Sequence, residues 1–400
     1  MSHRRALLAP IAAAVLVTAL AGCTANPRTT EAAQSSGGTG QVAVAATDTS
    51  CTLSTSSLKS GTATFVVTNQ GSSATEFEIL AKDGLTILGE VENVGPGLSR
   101  TLSLQTQPGT YTAVCKPGMV GDGVGRSTVT VTGKQVELAG DVQTQTKKAA
   151  AQYVGYVRDQ ASTLLAMTTR FAALYRSGDT AAAKALYPQA RSYYERIEPI
   201  AESFGDLDPD LDERQGDVKA GTPWTGWHRI EKDLWHPTPA KNGGTTYPAL
   251  SSAARTALAD KLVADTTTLN DTVRASSFTV TADTISNGAI GLLDEVAKSK
   301  ITGEEENWSH TDLWDFKANV QGAEVAYTGV RAIAEAKNPA LVSQIDARFA
   351  ALDTLLAQYG SLEKGFVLYD KLSTSDVKTL SDSVNALSEP LSQLTAAVLK

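Results

Sequence analysis

The chain has 400 residues, 42% of them apolar and 20% charged, with a formal net charge of −8. This is enough apolar mass for two ordinary globular cores, and it excludes a disordered chain. The acidic balance, with no basic patch carrying interleaved aromatics, excludes nucleic acid as a partner and favours cations.

The chain starts "MSHRRALLAPIAAAVLVTALAGCTAN", with Arg4 and Arg5 ahead of an apolar run that is too short to span a bilayer and ends in small residues. This is the pattern of an export signal over residues 1–22. Leu20-Ala21-Gly22-Cys23 is similar to a bacterial lipobox, which implies lipidation of Cys23. The protein is then exported and held by a lipid anchor on the outer face of the cell membrane, or in the periplasm. Losing the signal removes two positive charges from the −8 and leaves −10. Cys51 and Cys115 then sit in an oxidising compartment, where a disulfide is the default expectation. Closing a loop of that length stabilises by about 4 kcal/mol in the chain-entropy model.

Residues 23–46 are rich in Ser, Thr, Gly and Ala without an apolar period, the composition of a flexible linker. Residues 47–133 change to short β-branched runs between Gly, Asn and Pro turns, among them "TATFVVTN", "TEFEIL", "LTILGEVENV", "LSRTLSLQ", "GTYTAVC" and "STVTVTG". Runs of that length and spacing predict a small all-β sandwich. A second linker at 134–146 leads into residues 147–400, where Ala- and Leu-rich segments of 3.6-residue period predict an all-α bundle. Helices are expected at 149–177, 180–204, 223–235, 247–275, 277–299, 309–336, 339–359 and 373–399.

In "PWTGWHRIEKDLWHP", Thr222 and Pro223 suit a helix start and Pro237 a stop. Trp227, Ile230 and Leu234 share one apolar face, while His228 and Glu231 stand one turn apart on its flank. The pair suits iron, zinc or manganese, or a plain hydrogen bond on a packed helix. A zinc-protease motif needs a second His four residues on, and His236 comes eight residues on. In "RSYYERIEPIAESFGDLDPD", Glu195, Glu198 and Glu202 recur at i, i+3 and i+7, with Pro199 kinking the helix beside them. Such a stripe is either a solvated face or one side of an interhelical metal site.

The segments "YYERIEPIAESFGDLDPDLDER", "GWHRIEKDLW", "ITGEEENWSHTDLWDFKANVQGAEVAY" and "GFVLYD", in this order, resemble the imelysin-like family and, within it, the EfeO-type iron-uptake lipoproteins. The resemblance implies a main metal site at His228, Glu231, Glu195 and Glu198. It also implies a role in an EfeUOB-like system: iron, ferrous or ferric, is captured and passed to an EfeU-type permease, with an EfeB-type haem peroxidase as a further partner. The alternative it carries is a metal-dependent peptidase, since the family was once classed with those enzymes.

Weaker candidates lie around this set. Asp206, Asp208, Asp210, Asp212 and Asp217 have EF-hand-like spacing for calcium, with Leu211 where Gly is expected, or they are an acidic interhelical loop. Ser309 and Asp312 have the spacing of a capping box, and His310 is either a further ligand or an interhelical histidine.

The β segments "ATFVVTNQGSSATEFEIL" and "GTYTAVCKPGM" resemble a cupredoxin, with Cys115 and Met119 at the positions of that fold's copper-loop thiolate and thioether. Glu76 stands where the first copper histidine would be. Apart from His3 no histidine precedes His228, so a blue-copper site lacks its imidazoles. Glu76 and Glu78 share one strand face, as do Glu90 and Glu92. They make either a hard-ligand cation site or the wet face of a sandwich.

Overall fold

The computed structural model describes residues 41–80, 87–119, 123–135 and 140–399. The signal at 1–22, Cys23 and the linker up to residue 40 lie outside the described residues. Among those described, no helix is long and apolar enough to cross a membrane.

Nine strands build the first layer: β1 (Gln41–Ala46), β2 (Cys51–Leu53), β3 (Ser57–Lys59), β4 (Gly61–Asn69), β5 (Thr75–Leu80), β6 (Ile87–Val94), β7 (Ser99–Thr106), β8 (Gly109–Pro117) and β9 (Val124–Thr132). They form two sheets, ordered β2-β1-β4-β7 and β3-β9-β8-β5-β6. Strict alternation places Ala63, Phe65 and Val67 of β4 inward, where Phe65 meets Phe77 of β5 with ring centroids 5.5 Å apart. Cys51 and Cys115 are joined by a disulfide inside this core. The sandwich starts earlier than the composition suggests. Residues 41–46, read as linker, pair in parallel with β4 from Gln41↔Thr64 to Ala46↔Asn69.

The helical layer consists of α1 (Gly140–Ser177), α2 (Thr180–Glu195), α3 (Leu207–Asp212), α4 (Gly226–Trp235), α5 (Ser252–Arg274), α6 (Ala282–Lys298), α7 (Asp312–Lys337), α8 (Pro339–Leu356), α9 (Thr374–Leu391) and α10 (Leu394–Leu399). Part of the expected second linker is therefore the first turns of α1. One apolar core runs through the bundle, with Trp227 of α4 wedged against Phe171 and Tyr187 at centroid distances of 5.0 and 5.8 Å. The architecture is an all-β sandwich followed by an all-α bundle.

Helix α6 joins the two layers. Strands β6 and β7 are the outer strands of their sheets, and unpaired edge groups invite unwanted pairing unless they are covered. Asp283 accepts a hydrogen bond from the Gln105 amide at 2.7 Å, and Asn287 donates to the Ser103 carbonyl at 3.1 Å. Asp294 pairs with Arg100, and Lys298 donates to the Asn93 carbonyl. Two backbone groups on the edge of β7 and one of β6 are thus satisfied by side chains of one helix.

Candidate metal centre

The long helix expected at 180–204 breaks where Pro199 predicts. Helix α2 ends at Glu195, and a 3-10 turn, Glu198–Phe204, follows. The Glu195 carbonyl, freed by the break, accepts from Asn319 Nδ2 of α7 at 3.1 Å. Gly288 and Gly322 let α6 and α7 close on this bend: a Cβ on either would fall 1.8 Å from the Pro199 carbonyl oxygen or 2.4 Å from that of Arg196. Glu195 and Glu198 therefore do not continue as one helical stripe. The side chain of Glu202 lies outside the described residues.

Helix α4 starts at Gly226, three residues after Pro223, and the Trp224 and Thr225 side chains before it donate to the Glu213 and Asp210 carbonyls at the end of α3. Gly226 has φ 78° and packs on the Leu211 carbonyl, which leaves no room for a Cβ. His228 and Glu231 are thereby fixed, both buried, with Nδ1 3.7 Å from Glu231 Oε2. His236 caps the helix in the left-handed region and packs on Tyr247.

Around His228 the carboxylates form two groups that share its ring. Nε2 lies 3.5 Å from both Asp212 Oδ1 and Glu305 Oε1. Nδ1 faces Glu231 and, at 3.9 Å, Glu306. All four distances exceed a hydrogen bond, so neither ring nitrogen is satisfied, and Glu231 Oε2 has no partner either. The other Glu231 oxygen is anchored by the amides of Trp308 and Ser309 at 2.9 and 2.6 Å. Its free oxygen is thus aimed at the imidazole.

Two buried cations thread this cluster. Arg191 of α2 contacts Glu195, Asp212, Glu305, Glu306 and Asp315. Lys300 reaches Glu198 Oε1 at 2.7 Å, Glu195 Oε2 at 3.1 Å and Glu305 Oε1 at 3.6 Å. The predicted set is therefore divided: His228 and Glu231 stand together, whereas Glu195 and Glu198 are turned toward Lys300 and Asn319 and join His228 only through Glu305 and Arg191.

Carboxylates outnumber these cations, and their proton affinities show it. Burial pushes Glu198 and Asp315 well above the carboxylate range, and burial together with Glu231 does the same for Glu306. Glu305 resists burial and is held well below that range, chiefly by Lys300 and His228. Burial and Arg191 oppose a charge on His228, but Asp212, Glu231 and Glu305 outweigh them and raise its pKa to about 9. A buried group that must hold protons to limit its negative charge, and that offers unsatisfied nitrogen and oxygen donors, fits a hard cation. Among the described residues, both groups around His228 offer nitrogen and oxygen donors and no sulfur.

The weaker candidates fall elsewhere. Residues 207–212 are a helix rather than an EF-hand loop, so its acids diverge: Asp208 to Tyr194, Asp210 to Lys261, Asp212 to the centre and Asp217 to Arg214. Ser309 caps no helix, since α7 starts after Thr311, and its hydroxyl donates to Glu306. Asp312 accepts from the Glu306 amide at 3.1 Å, and burial raises its pKa to about 7. His310 lies in neither group around His228 and meets Lys241 Nζ at 2.9 Å.

In the sandwich, Glu76 and Glu78 are buried, not on a wet face, because α6 and the Glu198–Phe204 turn pack against β6 beside them. Glu78 pairs across the strands with Glu90, and both carboxylates of β5 face Lys116. Burial and then Glu76 raise Glu78 to a pKa of about 8. The Cys51 bond leaves Cys115 no thiolate, and Met119 stands in the turn after β8.

Two hollows give access to the bundle centre. One, of about 210 Å³, separates β6 from the bundle and is lined by Glu90, Glu92, Glu198, Asp212, Glu295 and Glu305. The other, of about 190 Å³, opens on His228 past Arg214, Glu304 and Trp308. Glu305, Glu306, Arg191 and Lys300 were not singled out from the sequence, and Asp212 was singled out only within the calcium-like acidic set, not as a neighbour of His228. The available signal was the Glu304–Glu306 run between Gly303 and Trp308, an acidic triplet in an aromatic context.

The fold and this centre define a two-domain protein whose parts both match known families. A cupredoxin-like domain model matches residues 11–131 and an imelysin model matches residues 149–394. The chain is 37% identical over 357 residues to the iron uptake system component EfeO of Escherichia coli O157:H7, covering 88% of this chain and 90% of that protein. The EfeO proteins of Escherichia coli K12 and Shigella flexneri match to the same extent. The chain belongs to the imelysin family, as an EfeO-type member with a cupredoxin-like domain in front.

Proposed function

We propose that the protein captures iron outside the cytoplasm at the His228–Glu231 centre and delivers it to a membrane permease, as a lipid-anchored component of an EfeUOB-like system. The observation that carries this is the unsatisfied imidazole of His228 among Asp212, Glu231, Glu305 and Glu306. Iron is cargo here. His228 supplies the one nitrogen, Asp212 and Glu305 the oxygens on its Nε2 side, and Glu231 the oxygen beside Nδ1. Glu195 and Glu198 extend the acidic shell toward the interdomain cleft.

Exchangeable oxygen-rich ligation suits capture and release better than a closed thiolate site. Protons held on Glu198, Glu306 and Asp315 leave as the ion enters. The carboxylates of the cleft focus cations toward the centre, with Glu90 and Glu92 on its β-domain side and Glu76 and Glu78 buried behind Glu90. The proposed partners are a permease and a haem peroxidase, and the relatives' name, a component of an iron uptake system, supports partners of some kind. The relatives carry the name of an uptake component, which favours transport over catalysis.

A peptidase of the zincin type needs a second imidazole on the ion, and neither group of donors around His228 has one. The test is to strip the purified protein, reload it with iron and analyse its metal. The parent retains iron, and the double variant His228→Ala, Glu231→Ala retains far less. Equal retention by both overturns the proposal, and chelator-sensitive casein hydrolysis lost in Glu231→Gln supports the peptidase.

A further inference from the structure

Lys300 is a buried ammonium in a place where the proposed cargo competes for the same oxygens. It sits in the 3-10 turn Lys300–Thr302, directly before Gly303 and the Glu304–Glu306 run. Gly303 has φ 76° and lies against Tyr369, where a Cβ would come within 2.4 Å of the ring, so this loop is held in place. Glu305 Oε1 is shared by three cationic groups: Arg191 at 3.4 Å, His228 at 3.5 Å and Lys300 at 3.6 Å. Both Glu198 oxygens accept from the same ammonium, at 2.7 and 2.8 Å.

We propose that Lys300 is a tethered rival of the cargo: in the metal-free protein its ammonium holds Glu195, Glu198 and Glu305, and an ion bound at His228 takes oxygens from it. Lys300 thereby lowers affinity and keeps the ion exchangeable. This rests on the proposed binding of iron at that centre. A buried charge cannot lose its partners without large penalty unless others replace them. The cleft beside Glu198 supplies these, since Glu295 lines it and already stabilises the Lys300 charge. Arg191 differs. Its guanidinium is fully buried and enclosed by five carboxylates, and it acts as fixed scaffolding.

The test is anaerobic titration of ferrous iron into full-length parent, Lys300→Met and Lys300→Arg proteins, with melting temperatures measured with and without iron. Lys300→Met binds iron at least about tenfold more tightly, equivalent to about 1.4 kcal/mol. Its metal-free form melts below the parent, and iron closes that gap. Lys300→Arg, a permanent and forked cation that serves as the fold-safe variant, binds several-fold more weakly. Iron bound by the parent but equally or less tightly by Lys300→Met, or as tightly by Lys300→Arg, overturns the rival role. Absence of iron binding from all three proteins instead overturns the assignment of the centre itself.

Discussion

Raising the pH of the metal-free protein from 6.5 to 9 removes a stabilising charge at a known place. The pKa of His228 rises in the folded state from 6.5 to about 9, against burial and Arg191 and in favour of Asp212, Glu231 and Glu305. That difference corresponds to about 3 kcal/mol of preference for the imidazolium. Because the folded value is the higher one, the stabilisation is fully present below pH 6.5 and is lost as the pH rises through 9. Urea unfolding of the parent and of His228→Gln at pH 6.5, 7.5 and 9 isolates this group, since other titrations are common to both. The parent's advantage in pH dependence should shrink by about 3 kcal/mol across the range. Parallel stability profiles would refute the reasoning. The same proton must leave when Nε2 takes a metal, so iron affinity should rise with pH over this interval.

Glu231→Gln should weaken iron binding by about 10- to 100-fold while the fold is kept, as measured by competition with a chromophoric chelator, because the carboxylate both orients and charges the imidazole site. Replacing Glu90 and Glu92 together by Gln should slow iron association in stopped flow at low salt. The effect should disappear at about 1 M salt, where the screening length falls to about 3 Å. Changing Cys51 and Cys115 to Ser opens a loop of sequence separation 64 and should cost about 4 kcal/mol, read as a lower urea midpoint for the sandwich. A midpoint unchanged by that substitution would show that the bond adds nothing to the folded domain.

Both domains were legible from period alone, because β4 alternates strictly and the helical segments repeat every 3.6 residues. The first strand was not. "QVAVAA" has the small-residue composition of a tether, and what makes it a strand is its pairing with β4, which local sequence does not contain. The carboxylates of Glu195 and Glu198 were legible as a motif, but a helical stripe was the wrong frame once Pro199 ended the helix. His228 and Glu231 share a flank by simple geometry. That Arg191 would lie fully buried among acids four residues before Glu195, or that the Glu304–Glu306 run would turn inward, depends on the meeting of α2, α4 and α7. Charge runs are usually solvated, so the run itself pointed outward and only its aromatic context hinted at burial. In the sandwich, alternation put Glu76 and Glu78 on one face, but it could not show that this face is buried, with α6 and its neighbouring turn packed on the adjacent strand β6.

Diffraction from iron-loaded crystals at the iron absorption edge tests the central claim most directly. The account predicts an anomalous peak beside His228, within ligand distance of Asp212 and Glu305 or of Glu231, and its loss in His228→Ala. A peak at Glu76 and Glu78 alone, or a peak that persists in His228→Ala, would contradict it.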